Sequence, residues 1–480
     1  MSRSELTIRT DARLWVQVLM FLLAGASVLL HSVRELYLVN LGLLSFWGGW
    51  GLLQVTRDAS RTTLWDLMWI SICLGYGVGS LNTELTWVQQ TSDYALLTAA
   101  SPLYLYRTVG WISLLCAGLM TASALDPTPV FSAIRIEARH HAAWAGFILT
   151  VAITGLLLVA KGSIGYHQEM TDGGVGVSPL AALTVSALVP AAALACFLAP
   201  QANGRVKTLL ILGLVLIALI QFYQGRRVFI YTVIVCLMCF GVGRSKSATW
   251  SWRQVLTLVV AAAAIMGASK AFFALRMAKW ELGSAKDTVA LIETGWGILM
   301  DAKRSGLNAE LESNQSSRTF ILGYPAELVQ ALEDHEPLYG QVVLLDVALN
   351  VPSVLWPGKY KVLSLGAEEA IANPHFGLEL LDEANSILTT GLSDLGLAGL
   401  FAYPLILLLA YRVILHATRR LGSAVYLMVA AALVNTVMNV EAATADYFNV
   451  LRSVVLLGGA STMAWLAWRL LSDPHRAAAI

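Results

Sequence analysis

The sequence predicts an all-α, polytopic membrane protein with about twelve transmembrane helices and one large helical loop. Of its 480 residues, 57% are hydrophobic and only 13% are charged, about half the charged share of soluble domains. Apolar runs long enough to cross a bilayer as helices recur along the chain, whereas a β-barrel would show alternating segments of about ten residues. Between Ala274 and Leu392, a stretch of more than a hundred residues lacks a clear span.

The apolar runs divide the chain into an N-terminal bundle (1–273), a large loop (274–391) and a C-terminal bundle (392–480). The first run lacks a small-residue cleavage site, which indicates an anchor rather than a signal peptide. The predicted spans are Leu14–Leu30, Leu36–Val55, Leu64–Leu81, Leu103–Ala122, Ala143–Ala160, Leu180–Leu198, Thr208–Tyr223, Val228–Val242, Val255–Phe273, Leu392–Tyr411, Ala424–Val440 and Val450–Leu471.

The short connections between spans differ in charge. Alternate connections carry several arginines or lysines each, as at Arg135 and Arg139 or at Arg419 and Arg420, whereas the connections between them carry few. Because Lys and Arg remain on the cytoplasmic side of short loops, both termini are predicted to be cytoplasmic. The large loop then lies on the outer face.

The large loop carries sixteen of the 31 acidic residues of the chain, from Glu281 to Glu383. Its segments Thr288–Met300 and Pro337–Trp356 have apolar patterns of helical length, and prolines separate such segments. We therefore predict several short helices packed on the outer surface of the bundle. Long loops within compact proteins are usually functional.

Gly225-Arg226-Arg227 joins two apolar runs with almost no loop. Charged side chains at membrane depth are costly and often functional, although arginine also serves as an anchor at the headgroup level. Paired guanidinium groups match a diphosphate through forked hydrogen bonds. We predict that Arg226 and Arg227 face outward, bind a lipid-linked diphosphate and stabilise it as a leaving group.

The loop supplies further candidate diphosphate ligands. Arg276 follows the ninth predicted span directly, Arg318 lies in Ser-Arg-Thr-Phe, and Lys359 follows a proline-rich stretch. Each is a cation on the face that would hold Arg226 and Arg227. The alternative for each is an ordinary solvated loop charge.

An attacking hydroxyl needs a general base, and three residues near the tenth predicted span are candidates. His375 belongs to the residue type that most often serves as a base. Glu383 directly precedes the return of the chain to the membrane. Asp394 falls just inside the predicted span, where an acid is costly; its alternative role is a helix N-terminal acid paired with a nearby arginine.

Several classes of function are not supported by the sequence. All five cysteines lie in apolar runs, and no spacing of Cys and His suggests a metal site. No P-loop, GxSxG or HExxH motif is present, so we expect no cofactor. A net charge of +1 without a basic tail gives no indication of nucleic-acid binding. Internal repeats typical of many transporters are not evident.

Three local features together resemble a known family. They are the Gly225-Arg226-Arg227 junction, the late loop stretch from Pro352 through Pro357 to Lys359, and the small-residue run from Asn385 to Gly399. With the multi-span architecture, they resemble Wzy-type polysaccharide polymerases, also called O-antigen or repeat-unit polymerases. The paired arginine-rich loop repeats of some members are not evident here.

The resemblance implies a GT-C-like membrane glycosyltransferase of the bacterial inner membrane that acts at the periplasmic face. Its donor would be a growing glycan on undecaprenyl diphosphate, and its acceptor a lipid-linked repeat unit. Arg226 and Arg227 match the outer-face arginines of the family that bind the diphosphate. The family also implies a flippase and a chain-length regulator as partners, besides the lipid bilayer, and no cofactor.

Three alternatives remain open from the sequence. An O-antigen ligase, which transfers finished glycan to lipid A-core, also needs outer-face arginines and a loop histidine such as His375. A non-catalytic polysaccharide or lipid transporter would use its charges for passage. A membrane scaffold would need neither the arginine junction nor an ordered loop.

Overall fold

The computed structural model describes residues 12–85, 98–131, 134–164, 179–244, 270–278, 281–282, 288–301, 306–307, 321–351, 355–356, 371–378 and 385–455. These residues form helices and connections, without a β-strand. In chain order, the helices are α1 (Ala12–His31), α2 (Arg34–Arg57), α3 (Leu64–Thr83), α4 (Pro102–Leu125), α5 (His141–Ala160), α6 (Pro179–Leu198), α7 (Gly204–Gln224), α8 (Arg226–Gly243), α9 (Thr288–Met300), α10 (Gly323–Ala331), α11 (Gln341–Asn350), α12 (Asn373–Phe376), α13 (Ile387–Leu395), α14 (Leu397–Thr418) and α15 (Ser423–Met438).

Within the described residues, eight helices are long and apolar enough to cross a membrane, namely α1 to α7 and α14. Shorter apolar helices, α8 and α15, lie at the predicted eighth and eleventh spans. The predicted ninth and twelfth spans fall mostly outside the described residues. The chain is therefore an all-helical membrane protein, and the predicted count of about twelve spans is not reached in its described part.

The start of α3 shows how sequence determines a helix boundary. Thr63 and Asp66 form a capping box, in which each side chain accepts a hydrogen bond from the other residue's backbone N–H. The hydroxyl of Ser123 on α4 donates to Asp66 at 2.7 Å. This satisfies a buried acid and fixes α3 against α4.

The connections between helices gather at two ends of the bundle. At one end, the backbone N–H of Val130 donates to the carbonyl of Thr62 at 2.8 Å, and Gly243 closes on the carbonyl of Phe197. Thr62 and Val130 lie in connections predicted to be cytoplasmic, and Phe197 and Gly243 lie in the last turns of α6 and α8, next to such connections. The loop helices lie at the other end, which we call the loop end.

The large loop contains the predicted short helices. Helix α9 has the predicted bounds Thr288–Met300, and α11 lies within the predicted segment Pro337–Trp356. Helix α10 attaches to the start of α4, where Gln330 accepts a hydrogen bond from the Ser101 backbone at 2.8 Å. The loop is thus packed on the bundle at this position.

The return of the chain to the membrane differs from the prediction. A single span from Leu392 was expected, but Gly396, with φ 61°, separates α13 from α14, and the apolar span begins at Leu397. The two helices fold back on each other so closely that a Cβ at Gly391 or Gly399 would overlap the opposite backbone. The prediction was wrong because this turn depends on glycine's access to positive φ.

Candidate functional site

A single residue, Gly225, separates α7 from α8. Its backbone N–H donates to the carbonyl of Gln221 at 3.1 Å, and its carbonyl accepts from the N–H of Phe229 at 3.1 Å. Helix α7 thus ends and α8 begins at this residue. The predicted tight junction is confirmed for the backbone; the side chains of Arg226 and Arg227 lie outside the described part.

Arg226 and Arg227 occupy the first turn of α8, a helix of 18 residues. The first backbone N–H groups of a helix lack intrahelical acceptors, and the helix dipole places about half a positive charge at that end. Anions such as phosphate bind at such positions. The sequence adds two cationic residues to an already electropositive helix end.

The arginine pair lies at the loop end of the bundle. Helix α8 ends at Gly243, which packs on the carbonyl of Phe197, and Gly241 lies near the carbonyl of Thr56. Phe197 and Thr56 are at the end opposite the loop. The start of α8 therefore faces the same side as the loop helices, as the charge pattern of the connections predicted.

Aromatic contacts bring Arg276 to the same region. The ring of Phe222, in the last turn of α7, lies 6.5 Å from that of Phe272 between centroids. Arg276 lies one turn further along the helical segment 270–278, with its guanidinium carbon 6.0 Å from the ring centroid of Phe273. We call Arg226, Arg227 and Arg276 the arginine corner.

Helix α9 packs beside the arginine corner. It buries Leu291 and Ile298 in a cluster with Phe273, against which Tyr223 at the end of α7 also packs. Its opposite face exposes large apolar side chains: Val289, Ile292, Trp296 and Met300. An exposed apolar helix face next to membrane spans suits contact with lipid. The arginine corner is therefore bordered by a surface suited to acyl chains.

The described residues test only part of the predicted site. Arg318, Lys359 and Glu383 lie outside them. Arg276 lies in the arginine corner, whereas His375 and Asp394 belong to a second group of residues around α10 to α13. Of the predicted site residues that the structure describes, Arg276 and the two bases His375 and Asp394 thus lie on different helices of the loop end.

His375 is exposed on the short helix α12. Its Nε2 lies 2.8 Å from the backbone carbonyl of Glu336, so Nε2 carries the proton in this hydrogen bond and Nδ1 is the basic nitrogen. The rings of His335 and Phe376 lie 5.8 and 4.8 Å away between centroids. His375 is therefore held in one orientation by this hydrogen bond and is accessible from solvent.

Asp394 is buried and lies in the last turn of α13, before the membrane span rather than inside it. Its two carboxylate oxygens accept the backbone N–H groups of Val342 and Val343, each at 2.9 Å, and the hydroxyl of Tyr403 at 2.7 Å. Asp394 thus caps the start of α11 from another helix. These contacts favour a structural role over the predicted base, and the expected arginine partner is replaced by backbone donors.

Changing Asp394 to Asn should lower the free energy of unfolding by about 2 kcal/mol, because a neutral amide weakens charge-assisted hydrogen bonds and presents an N–H to a donor. The midpoint of thermal unfolding in detergent measures the effect. Asp334→Asn, at an exposed acid of the same loop, is the control. Equal midpoints for the two variants would contradict the capping role.

A buried acid of the loop, Glu327, was not singled out by the sequence. It is 2% exposed, and its Oε1 accepts from the hydroxyl of Thr98 and the N–H of Ala99, each at 2.6 Å. Its Oε2 has no hydrogen-bond partner among the described residues. Burial raises the pKa of Glu327, although these hydrogen bonds lower it in part. Only its tertiary contact with the start of α4 distinguishes it from other loop acids.

The attachment of α10 should therefore depend on pH. A raised pKa means that the folded protein binds the Glu327 proton more tightly than the unfolded chain, so this contribution is present at low pH and lost as pH rises through the raised pKa. Glu327→Gln should gain thermal stability relative to the wild type as pH increases from about 4 to about 8. Glu336→Gln, at an exposed acid, is the control, and its unfolding midpoint should follow that of the wild type at every pH. The same behaviour of Glu327→Gln would contradict the raised pKa of Glu327.

A second buried carboxylate, Glu84, ends α3 on the loop side. Its Oε1 accepts the hydroxyl of Tyr37 at 2.9 Å, and its Oε2 lies 3.6 Å from the guanidinium of Arg34. The sequence around it, Thr83-Glu84-Leu85-Thr86-Trp87, mixes aromatic and polar side chains, a pattern that predicts either an aromatic membrane belt or contacts with sugars. The geometry adds a third role, because Glu84 joins α2 and α3 at the loop end through an ion pair and a hydrogen bond.

No group of three or more His, Cys, Asp or Glu side chains within the described residues is arranged to hold a metal ion. The site is thus characterised by cations, a histidine and apolar surface at one end of a helical bundle. Comparisons with protein-family models, with curated proteins and with solved structures find no match for this chain.

Proposed function

We propose that this protein is a polysaccharide polymerase, a membrane glycosyltransferase that transfers a growing glycan from undecaprenyl diphosphate to a lipid-linked repeat unit. The observation that carries the proposal is the position of Arg226 and Arg227 in the first turn of α8, on the loop side of the bundle. The two cationic residues, the helix dipole and the backbone N–H groups of the first turn, which lack intrahelical acceptors, favour the same ligand, a diphosphate.

The arginine corner supports binding of a leaving group. Glycosyl transfer from a lipid diphosphate places negative charge on the departing phosphate, and guanidinium groups stabilise that charge most where water is scarce. The exposed apolar face of α9 lies beside the corner and suits the polyprenyl chain. A ligand with a diphosphate head and a long apolar tail is therefore the substrate class that both features fit.

His375 is the proposed general base. The acceptor hydroxyl oxygen would attack the anomeric carbon of the donor, the bond from that carbon to the diphosphate oxygen would break, and Nδ1 of His375 would take the hydroxyl proton. The hydrogen bond from Nε2 to the Glu336 carbonyl supports this assignment, since it leaves Nδ1 as the acceptor. Asp394 is the weaker candidate for this role because backbone and hydroxyl donors hold its carboxylate, and Glu383 stays a candidate from the sequence.

Changing His375 to Ala should slow transfer at least about 100-fold, the lower end of the usual contribution of general acid–base catalysis. The rate is measured as glycan elongation by the reconstituted protein. His335→Ala is the matched control, because His335 is also exposed and its ring lies 5.8 Å from that of His375. Equal rates for the two variants would remove His375 from the mechanism.

The finer architecture belongs to the same proposal. We infer about twelve spans in a GT-C-like arrangement, in the bacterial inner membrane, with both termini cytoplasmic and the loop end periplasmic. The charge pattern of the short connections supports this orientation. A flippase that supplies repeat units and a regulator of chain length would be the protein partners.

Glycan analysis of a strain lacking the gene tests this function. Loss of long chains with single capped units retained supports the polymerase. Loss of all capping would favour the ligase, which shares the arginine and histidine requirements. An unchanged glycan profile would contradict both, and changed solute uptake in that case would favour a transporter.

A further inference from the structure

The end of the bundle opposite the loop contains a cavity of about 170 Å³, room for several water molecules. It lies where α3 begins, α4 ends, α14 ends and α15 begins. Apolar side chains, including Leu64, Leu408 and Leu415, form part of its wall. Because these helices are apolar and end here, the cavity lies at a boundary between membrane and water.

Among the lining residues that the structure describes, the one acid is already paired with a cation. Asp126 forms an ion pair with Arg412, accepts the indole N–H of Trp65 at 3.1 Å and accepts the hydroxyl of Thr128 at 2.7 Å. A carboxylate held by these donors is a fixed part of the wall. Its negative charge does not oppose the binding of an anion at the rest of the surface.

Basic side chains form one side of the cavity. Arg412, His416 and Arg419 line it from successive turns of α14 and the turn that follows. The guanidinium carbon of Arg419 lies 5.4 Å from the ring centroid of Tyr426, a cation–π distance. Two arginines against one acid give the described lining residues one net positive charge.

We propose that this cavity binds the phosphate group of an anionic phospholipid at the membrane face opposite the loop. Basic pockets between membrane helices on the cytoplasmic side suit phosphate headgroups, and the apolar wall suits the adjoining lipid chain. Free inorganic phosphate has the same chemistry as the headgroup, and a competition experiment distinguishes the two ligands. Helix α14 spans 22 residues, or about 33 Å, so this site is distinct from the arginine corner.

The test uses the purified full chain and native mass spectrometry with added phosphatidylglycerol. Arg419→Gln should weaken binding of the first phosphatidylglycerol about fivefold, the effect of one basic residue near an anionic headgroup. Arg420→Gln is the matched control, because Arg420 is a neighbouring exposed arginine that does not line the cavity. Arg419→Lys, which keeps the charge, should retain most of the binding.

The outcomes separate the sources of the phosphate. Failure of inorganic phosphate to displace the lipid supports a headgroup site, whereas displacement at millimolar phosphate supports a site for the free anion. Equal effects of Arg419→Gln and Arg420→Gln would overturn the proposal. So would binding of phosphatidylcholine as tight as that of phosphatidylglycerol. Thermal unfolding of each variant shows whether a loss of binding reflects a loss of fold.

Discussion

Changing both Arg226 and Arg227 to Ala should abolish long glycan chains and lower the rate of elongation about 1000-fold. Removing one preorganised donor to a developing negative charge costs a factor of about 100 to 1000, and this change removes two guanidinium groups. The pair begins α8, where the helix dipole adds to their charge. The glycan ladder of complemented cells and elongation by the reconstituted protein measure the effect.

Two further variants show whether a loss of elongation is specific to this arginine pair. Arg244→Ala removes an exposed arginine directly after the other end of α8 and should leave elongation unchanged. Replacing the pair by Lys keeps the charge but loses the forked geometry, so we expect partial activity. An Arg244→Ala defect as large as that of the double variant would show that the pair has no special role.

Changing Gly399 to Ala should destabilise the protein by about 3 kcal/mol, at the upper end of the usual effects of overpacking. The added methyl group would overlap the carbonyl of Gly391, a backbone atom that cannot turn aside as a side chain does. The hairpin of α13 and α14 would have to open. Because α13 carries Asp394, which caps α11, the loop end should lose order together with the hairpin.

Thermal unfolding and limited proteolysis of the loop test this expectation. Gly118→Ala is the control, since a Cβ at this helical glycine of α4 meets no atom within 4 Å. That substitution should be neutral or slightly stabilising, because alanine favours helices. Similar unfolding midpoints for the two alanine variants would mean that the close approach of α13 and α14 does not matter to stability.

Local patterns in the sequence were sufficient for much of the fold. Apolar runs predicted the spans, and the bounds of α9 followed from its helical apolar pattern. The single-residue junction at Gly225 was visible because two apolar runs meet there. The alternation of basic connections predicted that Arg226 and the loop share one end of the bundle. The contacts of Gly243 with Phe197 and of Gly241 with Thr56, at the opposite end, agree with this prediction.

The remaining features depend on contacts between distant segments. Asp394 was expected inside a span, but the turn at Gly396 places it before the span, where it binds the backbone of a helix some fifty residues earlier. Glu327 resembles any other loop acid until its contact with residues 98–99 is known. The spacing of apolar residues and the composition of a helix predict which face is apolar, but they do not identify the segment against which that face packs.

The most direct test of the central claim is the affinity of the purified protein for undecaprenyl diphosphate. The wild type should bind it, and the Arg226→Ala, Arg227→Ala double variant should bind at least about 100-fold more weakly, since two charge-assisted contacts are lost. Undecaprenol, which lacks the diphosphate, should bind both proteins equally. Equal affinity of the two proteins for undecaprenyl diphosphate would contradict the account.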